Sequence, residues 1–274
     1  MKMLATSIVL LSVLWAPKLW AQEYEFGSAL SQSVGGVVTL IPASPSVSTS
    51  HPALIGFATP KTSAELSYRQ LFGLGELEDF AAHLSHKHRR LGGALSMSRF
   101  GQAGLYQEYT VSAASSFQIR SDVAVGAALL YRSAEFGENQ SRYAGAELAI
   151  SAAYRPMPSI LISAATRRLM ADQVYDDIDT DPVYEASLAW TSPSEVSLGA
   201  IWTRERQGDH RFALGQILNL TQNLDFLAGL RFAPVRYTLG GRALYRGMSL
   251  VYAYEGHSEL GATHSFGLSW SPNP

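Results

Sequence analysis

Between Asn223 and Trp270 bulky apolar and small or polar residues follow one another with a period of two. Leu250, Tyr252 and Tyr254 mark one face of the run from Met248 to Glu255. Leu260, Phe266, Leu268 and Trp270 mark one face of the next, and the residues between are mostly Ser, Thr, Gly or Ala. Successive side chains of a strand point to opposite sides, so this period is that of strands with unlike faces. The bulky face is the apolar one. A soluble sandwich or closed barrel needs bulk on its inner face to fill a core, and here the second face is too thin and too polar for that. A strand that shows apolar bulk to lipid and small or polar residues to a lumen satisfies the pattern.

The rest of the chain repeats it. Ala64, Leu66 and Tyr68 alternate with Glu65, Ser67 and Arg69. Phe80, Ala82 and Leu84 form a weaker strand, and Leu91, Gly93, Leu95 and Met97 a clear one. Tyr109 and Val111, the series Val123 to Tyr131, Ala144 to Tyr154 and Ile160 to Leu169 continue the series. A hairpin across Thr191-Ser-Pro-Ser and the strand through Phe212, Leu214 and Leu218 precede the four strands of the closing stretch. The expectation is an all-β, transmembrane antiparallel barrel of about 14 strands spanning residues 61–274. Its strands and connections take roughly 15 residues each, enough for the roughly 9–11 residues of a tilted spanning strand and a short turn. The tight turns (Arg120-Ser-Asp, Pro156-Met-Pro, Ser192-Pro-Ser, Thr221-Gln-Asn and Tyr245-Arg) fall on the side of the termini. Gly73 to Glu78, Glu135 to Arg142, Met170 to Asp181 and Arg204 to His210 fall on the other. Composition agrees: only 16% of residues are charged, against roughly 25% in a soluble domain.

Residues 1–21 read as a secretory signal peptide, with Lys2 ahead of an apolar core from Leu4 to Trp15 and Leu19-Trp20-Ala21 as the cleavage site. Pro17 and Lys18 end that run short of the roughly 20 residues a spanning helix needs. Residues 22–60 differ from the rest. Gly35-Gly36, Pro42, Pro45, Pro52 and Pro60 exclude a continuous helix or central strand, while Val34, Val37, Leu40, Ile41, Leu54 and Phe57 favour a packed segment over a solvated one. It is read as a plug or a periplasmic segment.

The formal charge of −2 lacks the basic patch that nucleic acid requires. Absence of Cys removes thiolate chemistry and disulfides. Nothing in the chain asks for a cofactor. Arg132, Glu147, Arg155, Glu185, Arg231, Arg236 and Arg242 fall on the inner face, where charges pair across the lumen or line a passage. Tyr68, Tyr109, Tyr131, Trp190, Trp202, Phe232, Tyr237 and Trp270 fall near strand ends and suit aromatic girdles.

Three constellations invite chemistry, and each has a plainer account. Gly256-His-Ser258-Glu-Leu260 approaches a nucleophile elbow, but no helix follows, and Ser258 lies roughly 20 Å along a strand from His264. No enzyme activity is expected. Of His83, His86 and His88, beside Lys87, Arg89 and Arg90, only His86 and His88 share a strand face and no third ligand has metal spacing; they read as a basic, solvated hairpin end within reach of anionic headgroups. Asp172, Asp176, Asp177, Asp179 and Asp181 read as a solvated loop without a Gly-containing calcium motif.

The sequence also resembles the PorV/PorQ-like outer-membrane proteins, relatives in architecture of the FadL-type transporters. The resemblance is carried by His51-Pro52-Ala53, Ser67-Tyr68-Arg69, Phe72-Gly73-Leu74-Gly75, and Phe100-Gly101 with Tyr106-Gln-Glu108. The closing stretch adds Tyr237-Thr-Leu-Gly240-Gly, Val251-Tyr252-Ala-Tyr254 and Leu260-Gly261-Ala-Thr-His264. His51 departs from the family's Asn, so a turn capped by that Asn would be served imperfectly. The resemblance implies a fourteen-stranded outer-membrane barrel whose N-terminal segment folds into the lumen. It also implies a role in type IX-like secretion or outer-membrane assembly, with secretion-machinery proteins as partners. The FadL-like alternative is a channel that passes a hydrophobic small molecule. Outer-membrane lipid is a partner in either case.

Overall fold

The computed structural model describes residues 27–59, 61–137, 141–169, 182–192, 195–204, 210–232, 234–257 and 260–272. Fourteen antiparallel strands close into a barrel. The first seven are β1 (Thr62–Gln70), β2 (Glu78–His88), β3 (Leu91–Gln102), β4 (Tyr106–Arg120), β5 (Val123–Phe136), β6 (Ser141–Met157) and β7 (Ile160–Arg167). The others are β8 (Val183–Thr191), β9 (Val196–Arg204), β10 (His210–Thr221), β11 (Leu224–Phe232), β12 (Arg236–Tyr245), β13 (Met248–His257) and β14 (Gly261–Trp270). Each strand pairs with its sequence neighbours, and β14 closes on β1 with Ala64 opposite Trp270 and Gln70 opposite His264. Closure leaves no sheet edge, as a barrel in lipid requires. Among the described residues no helix is long and apolar enough to cross a membrane.

The outer face carries the bulk. Leu66, Leu95, Met97, Leu129 and Leu250 are each more than half exposed, while their strand neighbours Glu65, Ser96, Leu130 and Val251 are buried inside. Tyr109, Tyr131, Trp190, Tyr237 and Trp270 stand on that outer face. Leu260 departs from expectation: it lies in the turn before β14, which begins at Gly261, so the apolar face of that strand rests on Phe266, Leu268 and Trp270.

The connections at the end that holds both barrel termini are tight. Arg246-Gly247 is the clearest, with φ of 47° and 80°, the pair of positive values that a two-residue I′ turn demands. Residues 71–77 connect β1 to β2 at the opposite, loop end, where β7 ends at Arg167 and β8 begins at Val183. The 71–77 connection folds back over β14: the Phe72 amide donates to Thr263 Oγ1 at 3.2 Å.

Residues 27–59 fill the lumen as short turns: helix α1 (Ala29–Ser33) and 3-10 turns at Val38–Leu40, Pro45–Thr49 and Pro52–Phe57. Ser28 caps α1 by accepting from the Ser31 amide at 3.2 Å. The two longer turns open on Pro45 and Pro52, where the absent N–H costs nothing and the fixed φ favours a helical start. Val34, Val37, Val47, Leu54 and Ile55 are almost wholly buried. This segment is the core that the thin inner wall of the barrel lacks.

Candidate functional site: a filled lumen with a charged vestibule

The wall is pared down where the luminal segment lies against it. An added Cβ at Gly126 would stand 2.5 Å from the Ala53 nitrogen, and one at Gly229 2.3 Å from that of Gly35. At Gly92 it would meet Ile55, at Gly199 Val37, at Gly215 the Val34 carbonyl and at Gly240 Ser33. Glycine in a strand marks such close approach, and six strands use it here.

Polar bonds complete the seating. Gln32 Nε2 donates to Glu255 at 3.2 Å, and Ser265 Oγ donates to Gln32 Oε1. Thr238 Oγ1 donates to the Ser33 carbonyl at 3.2 Å and Arg231 Nε to that of Gly35 at 3.1 Å. Thr39 bonds Ser187 at 2.8 Å, Ser44 Oγ donates to Glu65 at 2.5 Å, and the Ala53 amide donates to Ser151 Oγ at 2.8 Å. Near the terminal end Lys87 Nζ donates to the Gly56 carbonyl, and the Arg155 guanidinium lies 4.5 Å from the Phe57 ring centre.

Above the segment, towards the loop end, charged side chains from successive strands form a belt. Arg69 pairs with Asp79 at 3.0 Å. Arg132 bridges Glu108 at 3.1 Å and Glu147 at 3.6 Å, and Arg168 reaches Glu147 at 3.9 Å. Arg167 holds Glu185 at 3.0 Å, while Glu255 takes Arg236 at 3.1 Å and Arg231 at 4.0 Å. Charges sheltered from water persist when paired in this way. The belt surrounds a vestibule of about 140 Å³ floored by Gly35, Gly36 and Val38, with Leu130, Ala149 and Ile201 as its apolar wall. Arg242 lies in the terminal half instead, against Asp225 at 2.6 Å.

His51 sits among these groups, wholly buried, as the residue before the Pro52–Phe57 turn. It makes no capping bond, and neither ring nitrogen has a hydrogen-bond partner. Burial, reinforced by the Arg167 charge, lowers its pKa to about 3. The ring is therefore neutral, and its 3.6 Å approach to Glu185 is a contact rather than an ion pair.

The seven charges singled out from the sequence all lie on the inner face, but in two groups: Arg132, Glu147, Glu185, Arg231 and Arg236 around the vestibule, Arg155 and Arg242 towards the terminal end. Their partners Glu108, Asp225 and Glu255, the further pair Arg69–Asp79, and Arg167, Arg168 and Arg211 belong to the same set, and of these the alternation drawn from the sequence places only Arg69 and Glu108 on that face. Parity would have found others too: Asp225 shares the face of Leu227 and Gly229, and Glu255 that of Val251 and Ala253.

The motif positions scatter. Pro52 and Ala53 are luminal, and Gly73, Gly101 and Gly261 have positive φ at the loop end. At Gly240 the wall meets α1. Tyr252, Tyr254 and His264 cluster on the outer face, the Tyr252 hydroxyl 2.9 Å from His264 Nδ1. Ser258 and the aspartates from Asp172 to Asp181 lie outside the described residues. The reading of His83 is corrected: it is not solvated but turned inward and buried opposite Glu65, while His86 and His88 are exposed on the outer face. Its parity with Ala81 and Ser85 decides this. Among the described residues no group of three or more His, Asp or Glu is placed to hold a metal ion.

No family model matches the chain, and no curated protein matches it. Among solved structures, the chain is similar to the toluene transporter TbuX of Ralstonia pickettii, with a TM-score of 0.67, 9% identity and coverage of 90% of this chain and 98% of that one. It is similar to the toluene transporter TodX of Pseudomonas putida, with a TM-score of 0.67, 11% identity and coverage of 92% and 99%. A FadL homologue of Pseudomonas aeruginosa gives 0.62, with 12% identity and coverage of 88% and 97%. At such identities the likeness is one of fold, and function must be argued from the site.

Proposed function

We infer that this chain is a non-catalytic outer-membrane channel that admits one small, largely apolar molecule, with residues 27–59 as its internal closure. Its terminal end then faces the periplasm and its loop end the exterior. The observation that carries the reading is the vestibule. Its volume of about 140 Å³ is close to the roughly 150 Å³ of an apolar cavity that holds one benzene ring. Val38, Leu130, Ala149, Ile201 and Phe212 supply apolar contact, and a ring of seven arginines with Glu147 and Glu185 around them supplies polar groups that orient a ligand. The similar structures described as toluene transporters support the same class of solute. Passage onward requires the closure to shift. Its bonds to the wall are many but separately worth about 0.5–1.5 kcal/mol each, so they can be released in steps. The secretion role implied by the PorV/PorQ resemblance has no comparable observation behind it.

The test is uptake of labelled toluene, at concentrations too low for rapid diffusion across the outer membrane, by cells that express the chain. Saturable uptake, reduced several-fold by Leu130→Phe, is expected. Uptake equal to that of cells without the chain, with the barrel folded and secretion components captured on it after detergent extraction, would overturn the reading in favour of secretion.

A further inference from the structure

The rim at the terminal end has an uneven charge. The rim from the β12–β13 turn, past β14 and β1, to the β4–β5 turn presents Arg246, Lys61, Arg89, Arg90 and Arg120, all exposed. Asp122 is the acid described there, and it pairs with Arg120 at 3.4 Å. The remaining turns at that end offer Pro158-Ser159, Ser192, Glu195 and Gln222-Asn223, with no cation among the described residues. The cations thus lie over one arc of a ring.

That arc stands at the end of a groove in the apolar outer face. Ala64 and Ala82 form its floor, and Leu66, Leu84, Met97 and Trp270 its walls, around about 440 Å³. Register fixes the arrangement: Ala64 lies between Trp270 on β14 and Leu84 on β2. One step nearer the rim, Thr62 is opposite His86, with Thr62 Oγ1 2.9 Å from His86 Nδ1. Next come Lys61, whose carbonyl accepts from the Lys87 amide at 2.6 Å, and, past the end of β2, the Arg89-Arg90 turn. Along β1 the groove floor begins about 10 Å from Lys61 at roughly 3.3 Å per residue. The Thr62–His86 pair and the apolar trough thus share the outer face, and the exposed Lys61, Arg89 and Arg90 stand at the rim just beyond them, Lys61 with the parity of Ser63.

We propose that this groove is a binding site for a phospholipid with an anionic headgroup, its phosphate held by Lys61, Arg89 and Arg90 and an acyl chain laid over Ala64 and Ala82. A zwitterionic lipid fills the trough equally well but gains less from the rim, since its own ammonium opposes the three cations. Selectivity therefore comes from charge and position from shape. The site rests on the membrane placement argued above, and it is separate from the lumen and from any solute carried there.

Two variants of the full chain test it, one keeping Trp270 and the other Trp190 as its sole tryptophan. Both tryptophans are about half exposed on the outer face near the terminal end, but Trp190 belongs to the arc without cations. Each protein is reconstituted in phosphatidylcholine bilayers, and brominated phosphatidylglycerol or brominated phosphatidylcholine is titrated as quencher. At Trp270 phosphatidylglycerol should be favoured by about three- to tenfold, an electrostatic preference that high salt reduces, and at Trp190 by about onefold. Lys61→Gln with Arg89→Gln and Arg90→Gln should bring Trp270 to the Trp190 value while leaving heat-modifiable gel migration unchanged. Equal selectivity at the two tryptophans, or selectivity that survives the triple substitution, overturns the proposal. Quenching of neither tryptophan by brominated phosphatidylcholine overturns the membrane placement itself.

Discussion

Gly126→Ala is the sharpest perturbation of the luminal segment. The new methyl carbon would stand 2.5 Å from the Ala53 nitrogen and 2.6 Å from the Pro52 carbonyl carbon. Both are backbone atoms of a turn, so no side chain can rotate away. Overpacking of this kind costs about 1–3 kcal/mol, and relief by displacing the turn also strains the Ala53–Ser151 hydrogen bond of 2.8 Å. At tenfold per 1.4 kcal/mol, the displaced population rises about 5- to 150-fold. Gly215→Ala acts at a separate contact, with its carbon 2.4 Å from the Val34 carbonyl oxygen, and effects at distant sites add. Gly241→Ala is the control, because its Cβ meets nothing within 4 Å. The assay is ion conductance in planar bilayers, with heat-modifiable migration as proof that the barrel stands. Both luminal variants should leak more often than the parent, the double variant most, and the control no more. Parental conductance in a folded double variant would refute the claim that wall glycines seat the closure.

Two further outcomes follow from the charges. Arg236→Ala removes the 3.1 Å partner of Glu255 inside the lumen and leaves it Arg231 and the Gln32 amide, which should cost about 1.5–3 kcal/mol, whereas Arg120→Ala at the solvated rim should cost under about 1 kcal/mol; thermal loss of the fast-migrating gel form measures both. His51 is held neutral, with its pKa lowered from 6.5 to about 3. Its contribution to stability is thus fully present above pH 6.5 and is lost as pH falls from 6.5 towards 3. In that window the parent should lose thermal stability more steeply than His51→Asn, and equal slopes would remove the ring from the account.

Much of the barrel is legible because lipid and lumen impose opposite demands on alternate residues. Leu250 and Tyr252 against Val251 and Ala253 state the register of β13 outright. Strand count and turn placement follow from the same alternation. The luminal segment is less legible. Its prolines exclude long elements, but its position depends on contacts with residues far along the chain, such as Gln32 with Glu255. The belt is partly legible. Arginines draw attention on a small-residue face, while Asp225 and Glu255 pass unnoticed until parity is applied to both signs of charge. His83 was obscured by its neighbours: Lys87, Arg89 and Arg90 suggest a solvated end, whereas alternation turns that one ring inward. The wall glycines are visible as letters but not as contacts, because nothing local says what approaches them.

The luminal segment touches all fourteen strands, α1 against β1 and β11 to β14, Val38–Leu40 against β7 to β10, and the two longer turns against β1 to β6. The segment precedes β1 in the chain, yet its last partners are made only when β14 arrives. Closing the ring around it must therefore be coupled to its own ordering, and the contacts concerned span most of the chain. Formation should be slow for that reason, and a barrel closed before the segment enters would offer only its open ends as a way in. The order of events in biogenesis, rather than stability alone, then decides whether a molecule is sealed or leaky.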